Sequence, residues 1–206
     1  MTRKLDEQFL VERFRPACGL TKNMVSAGVE FAYSTLDIID AKLLEAGLTR
    51  LSGLVELANL STIIGNLIAE GIVKSGRNVF GRAGAHKYQD LRSASCADHN
   101  VEIKVSLEKN NPKAHLAKEG HYLTFRYVLG DSEGHLDREV RGDVAWIWEV
   151  RFGYLRLEHF NVSNTEGDSG KTAVVNKAGM QELVVIYQNP GLEPTRRSYR
   201  SRSTTA

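Results

Sequence analysis

Val101-Glu102-Ile103-Lys104-Val105-Ser106-Leu107 alternates strictly between apolar and polar residues. Successive side chains of a β-strand leave on opposite faces, so Val101, Ile103, Val105 and Leu107 share one face and Glu102, Lys104 and Ser106 the other. The apolar face can pack on helices. An acid and a base are then held side by side on the other face of a strand that reads as central.

Immediately upstream, Tyr88 to Cys96 and the polar turn Ala97-Asp98-His99-Asn100 complete a hairpin-like pattern. Downstream, Asn111-Pro112 predicts a short helix, with asparagine as N-cap, proline at the first helical position and Gly120 as the stop. Strand-like runs follow at His121 to Leu129, Val144 to Phe152, Tyr154 to Val162 and Leu183 to Tyr187. Gly130-Asp131-Ser132-Glu133-Gly134 and Asn164-Thr165-Glu166-Gly167-Asp168 read as loops, as do Gly81, Gly84 and their small neighbours.

Before Gly76 the periodicity is helical. One segment carries Met24, Val25, Val29 and Ala32; a second starts after Ser34-Thr35 and stops at Gly47; a third runs from about Leu54 to Ser75. Gly65 and Gly71 weaken the third by about 1 kcal/mol each relative to alanine. The expected organisation is one structural domain in three stretches: a helical part packed on the core over 1–76, a sheet-bearing core over 77–190 and a basic tail over 191–206. Arg196, Arg197, Arg200 and Arg202 lie in that tail among serines and threonines.

Phosphodiester hydrolysis is a reaction that a strand bearing Glu-x-Lys suits. It needs a divalent cation on hard oxygen ligands and a positive group near the developing charge. Two residues of strand separate Glu102 and Lys104 by about 7 Å along one face. A second carboxylate is found at Asp90, twelve residues before Glu102 and at the start of the preceding strand; Asp98 is in the turn, too close to reach back.

Gln89-Asp90 followed by Glu102-Ile103-Lys104 resembles the signature of the PD-(D/E)XK nuclease superfamily, which includes most type II restriction endonucleases, with Gln89 where the family's proline stands. The resemblance covers roughly residues 60–128. It implies an α/β fold: a restriction-endonuclease-like mixed β-sheet core flanked by helices, here with a helical N-terminal extension. It further implies that Asp90, Glu102 and the Ile103 carbonyl ligate Mg2+, with Mn2+ as a substitute. Lys104 would orient or deprotonate the attacking water, and Glu70, on the helix before the first core strand, would support the site. The expected function is therefore Mg2+-dependent cleavage of double-stranded DNA by a type II restriction endonuclease, in a two-fold homodimer that cuts both strands of a palindromic site. Two rivals remain: a protein that binds DNA on the same fold without metal, and a repair or recombination nuclease that reads DNA structure.

An acidic-x-Lys triplet occurs about once by chance in such a chain, and Asp40-Ala41-Lys42, in a helical stretch without a partner carboxylate, is a decoy. Gly167-Asp168-Ser169-Gly170-Lys171-Thr172 ends like a phosphate-binding loop but has Thr165 where that motif needs glycine. Lys171 is retained as a DNA phosphate contact, with Lys109 and Lys113. Asp98-His99 with Asn110, Asn111, His115 and His121 loosely resembles the ββα-metal nucleases, in which the histidine activates water.

Composition sets the outer bounds. The 206 residues are 42% hydrophobic and 25% charged, ordinary globular values, and a net charge of +2 gives no global cationic field. Cys18 and Cys96 read as free thiols of a reducing compartment. The N-terminus turns acidic at Asp6-Glu7, where a secretory signal would become apolar, and no apolar run approaches a membrane span. A soluble cytoplasmic protein without a membrane partner is expected.

Overall fold

The structure is a computed structural model that describes residues 3–76, 78–84, 88–137, 139–163 and 172–195. Its first long element, helix α1 (Lys22–Glu45), begins where the Thr21 hydroxyl accepts the Met24 N–H at 3.2 Å. The break expected after Ser34-Thr35 does not occur. Thr35 Oγ1 donates to the Phe31 carbonyl at 2.8 Å, so its hydroxyl is satisfied inside the helix and does not act as a cap. A four-residue turn, α2 (Leu51–Leu54), leads to α3 (Leu57–Ser75).

Gly71 is where α3 meets α1. A Cβ there would lie 2.8 Å from the Gly28 Cα and 2.6 Å from the Phe31 Cβ, so glycine permits a backbone approach that alanine forbids. Gly71→Ala is accordingly expected to destabilise, by about 1–3 kcal/mol from overpacking less the roughly 1 kcal/mol gained in helix propensity. A urea midpoint at or above wild type would contradict this close approach.

Three short strands of the sheet follow in order: β1 (Phe80–Arg82), β2 (Leu91–Ser93) and β3 (Val101–Leu107). After β4 (Lys113–Ala114) come the long strands β5 (Gly120–Gly130) and β6 (Val144–Leu155). The chain closes with β7 (Phe160–Ser163), β8 (Thr172–Val175), α4 (Lys177–Glu182) and β9 (Val184–Gln188). Six strands form a mixed sheet in the order β1-β2-β3-β5-β6-β9; β3 and β5 are parallel and the other neighbours antiparallel.

Helices cover one face of this sheet. Val25, Val29, Ile64, Ile68 and Ile72 pack there with Ile103, Phe125, Tyr127 and Val150. The N-terminal stretch joins the sheet as well: Leu5 is buried, and Val11 N–H donates to the Ile186 carbonyl at 3.0 Å. The opposite face corrects the expectation of flanking helices. It is covered by a second sheet, β4-β8-β7, and the short α4, around a smaller core of Tyr122, Leu155, Phe160, Val175 and Leu183.

The predicted helix at Asn111-Pro112 is absent, and Gly120 opens β5. Asn111 spends its side chain elsewhere: Nδ2 donates to the Val175 carbonyl and Oδ1 accepts from Arg126, both at 2.8 Å. The Pro112 carbonyl accepts Val175 N–H at 3.0 Å, which draws the segment alongside β8 as strand. Likewise Tyr154 to Val162 is not one strand: β6 runs on to Leu155, and a 3-10 turn at Leu157–His159 separates it from β7. No described helix is long and apolar enough to cross a membrane.

Candidate metal centre and its trough

Asp90, in the bend before β2, and Glu102, within β3, each accept a backbone N–H from the residue beside the other. Gln89 N–H donates to Glu102 Oε2 at 2.8 Å, and Ile103 N–H donates to Asp90 Oδ2 at 2.8 Å. The first bond depends on an unusual backbone, because Gln89 has φ +66° in the left-handed region. Proline, with φ fixed near −65° and no N–H, cannot take that conformation or make that bond. The local geometry therefore excludes proline at this position.

Lys104 Nζ lies 2.6 Å from Glu102 Oε1, and the two side chains are 24% and 10% exposed, so this is a largely desolvated pair. Tyr88 and Tyr122 are close by, their hydroxyls 3.3 Å apart. Burial pushes both phenols above the usual tyrosine range, and the negative charge of Glu102 adds to it. Both tyrosines stay neutral: Tyr88 donates to the Glu119 carbonyl and Tyr122 to the Lys118 carbonyl.

The N–H and C=O of one strand residue point to the same edge. Since Ile103 N–H meets Asp90, the Ile103 carbonyl faces that side too. The oxygens present are of the hard kind that Mg2+ takes: Asp90 and Ile103 line the neighbouring trough, while Glu102, engaged by Lys104 and the Gln89 N–H, lies outside its lining. Among the described residues no group of three His, Cys, Asp or Glu is placed to hold a metal.

Next to Asp90 a trough of about 490 Å³ opens along β3. Strand β2 pairs with β3 only at Leu91 and Val101, so from Ile103 onward the outer edge of β3 has no partner strand among the described residues. Ala58, Thr62 and Asn66 of α3 line one wall, and Asn110, Asn111 and Lys113 the other. Lys104 and Ser106 also line it, which places the lysine of the triplet at the cavity.

Other expected residues are placed differently. Glu70 is on α3 but outside the trough lining; it is half-exposed and 3.8 Å from Lys74 Nζ, while Asn66, one turn earlier, faces the cavity. Lys109 pairs with Glu193 at 2.8 Å. Lys113 lies on the trough wall, and Lys171 falls outside the described residues, as do most of the phosphate-loop-like stretch and the tail arginines. The histidine-based rival is not assembled. His99 sits in a turn 3.4 Å from Ser95 Oγ, His121 stacks on Phe152, and Asn111 is tied to Arg126 and Val175. Cys18 and Cys96 are free thiols, one buried and one exposed.

His121 offers a separate pH test. Burial lowers its pKa, with the charge of His99 acting the same way, and Nδ1 is buried without a partner. A histidine with a depressed folded pKa gives stability that is complete above its unfolded value of about 6.5 and is lost as pH falls through the folded value. His121→Phe is expected to flatten this acid-side loss in denaturation midpoints followed from neutral pH downward. An unchanged slope would remove His121 as its cause.

Comparison of the chain with family models and with curated proteins finds no match.

Proposed function

We propose that the chain is a Mg2+-dependent nuclease that hydrolyses DNA phosphodiesters. The observation that carries this reading is the reciprocal backbone grip on Asp90 and Glu102, with Lys104 both within 2.6 Å of Glu102 and in the lining of the trough. Held this way, two carboxylates keep their geometry without needing to be ordered when a substrate arrives.

Asp90, Glu102 and the Ile103 carbonyl would hold the ion. An ion bound there would supply charge to offset the phosphate and would lower the pKa of a bound water. Lys104, paired with Glu102, would donate hydrogen bonds that orient the attacking water and oppose the charge building on phosphorus-bound oxygens. The type II restriction reading adds a duplex palindromic site and a two-fold homodimer, each subunit cutting one strand.

The test is cleavage of long DNA with Mg2+ or Mn2+, beside EDTA and an Asp90→Asn protein. Discrete fragments lost in both controls are the expected result for a site-specific enzyme; a smear lost in both indicates a nuclease without sequence preference. Activity that survives EDTA, or DNA left intact across metals and substrates, overturns the proposal and favours metal-free DNA binding.

A further inference from the structure

We infer that the trough beside β3 takes one nucleotide out of its stack, so that the substrate reaches Asp90 and Lys104 as an unpaired strand or a nucleotide turned out of a duplex. This rests on the nuclease reading of the same site and, within it, favours a nuclease that reads DNA structure over one that cuts an intact palindromic duplex. The first argument is size. A trough of about 490 Å³ is on the scale of a small-ligand pocket, with room for one nucleoside and its phosphate.

The second argument is the chemistry along its length. Lys104 and Asp90 mark one end, and Lys113 and Asn110 lie further along, about 13 Å of strand from Ile103 to Leu107 between them. Leu57, Ala58, Val105 and Leu107 give apolar surface for a base, while the amides of Asn66 and Asn110 can meet its hydrogen-bonding edge. Phosphate at the charged end and base against the mixed middle is the order in which a nucleotide presents its parts.

The open edge of β3 also suggests a polypeptide strand, but both ends of that edge are already occupied. Asp90 takes the Ile103 N–H, and Asn110 N–H takes the Leu107 carbonyl at 3.1 Å. What remains centres on Val105, too short a ladder for strand addition, which draws on a run of main-chain bonds. A turned-out nucleotide needs no such run. The cost of unstacking is least where the base is mismatched, damaged or unpaired, which makes such substrates the preferred ones.

The test measures binding of a short fluorescein-labelled single-stranded oligonucleotide, and of the same strand annealed to its complement, by fluorescence anisotropy with Ca2+ replacing Mg2+. The expected result is single-strand binding about tenfold or more tighter than duplex binding. Ala58→Trp, which extends a side chain into the trough from an exposed helix position, is expected to erase that preference. Leu44→Trp, at an exposed position on α1, is the folding control and keeps it. Equal or tighter duplex binding, or a preference that survives Ala58→Trp, overturns the inference. If Mg2+-dependent cleavage of intact duplex is then lost in Lys104→Ala, the nuclease reading stands and only the substrate inference has failed. Single-strand binding lost in Ala58→Trp without cleavage of any substrate upholds the trough as a nucleotide site and sinks the nuclease reading instead.

Discussion

Lys104→Ala is expected to slow Mg2+-dependent DNA cleavage by about 10²–10⁴-fold, the range seen when a group that handles a proton or meets developing charge is removed. The loss should fall on the rate at saturating DNA more than on binding, because Lys113 and the trough walls that meet the substrate are untouched. Glu102 keeps the Gln89 N–H in this variant, so the carboxylate is not left wholly without a partner. Stability should therefore fall by only about 1–3 kcal/mol. Lys104→Arg should not rescue the rate: a planar guanidinium keeps the charge but cannot place a compact ammonium 2.6 Å from Glu102 Oε1. Single-turnover cleavage measures the effect, and a folded Lys104→Ala protein that cuts at the wild-type rate would remove Lys104 from the chemistry.

How much of this was legible beforehand depends on the range of the interactions involved. The alternation from Val101 to Leu107 is a local regularity and is β3 in the structure, and Asp90, picked out by its spacing, meets that strand at the Ile103 N–H. Glu70 was placed by helical position alone. A helix shows several faces, and the one turned to the cavity carries Ala58, Thr62 and Asn66. The helix expected at Asn111-Pro112 failed for another reason: its capping signals are real but weak, and Arg126 and β8 compete for the same side chain and carbonyl. Gln89 had no signal at all. Its role is a backbone N–H presented by a left-handed φ, and glutamine does not advertise that conformation. The cover on the second face was similarly hidden, since β8 and α4 are too short to show a period.

That second face carries the largest expected effect on stability. Glu149, 2% exposed, accepts from Arg126 Nη1 at 3.1 Å and from Arg151 Nη2 at 2.8 Å. Burial lowers the pKa of the Arg126 guanidinium, and Glu149 offsets that penalty with its charge and hydrogen bond. Glu149→Ala would leave two adjacent cations with no carboxylate between them, and breaking a buried pair this way costs about 3–5 kcal/mol. The damage should also reach the trough, because Arg126 donates from Nε to the Asn110 carbonyl at 3.1 Å and from Nη2 to Asn111 Oδ1. Both asparagines are wall residues. Glu149→Gln, which keeps an acceptor and gives up the charge, should fall between the two. Urea denaturation of the three proteins should rank wild type, glutamine and alanine in that order. Equal midpoints would mean that water serves Arg126 and Arg151 as well as Glu149 does. In the alanine protein weaker substrate binding should accompany lower stability even under conditions where the fold is fully populated. That separates a wall held by Arg126 from a general loss of folded molecules.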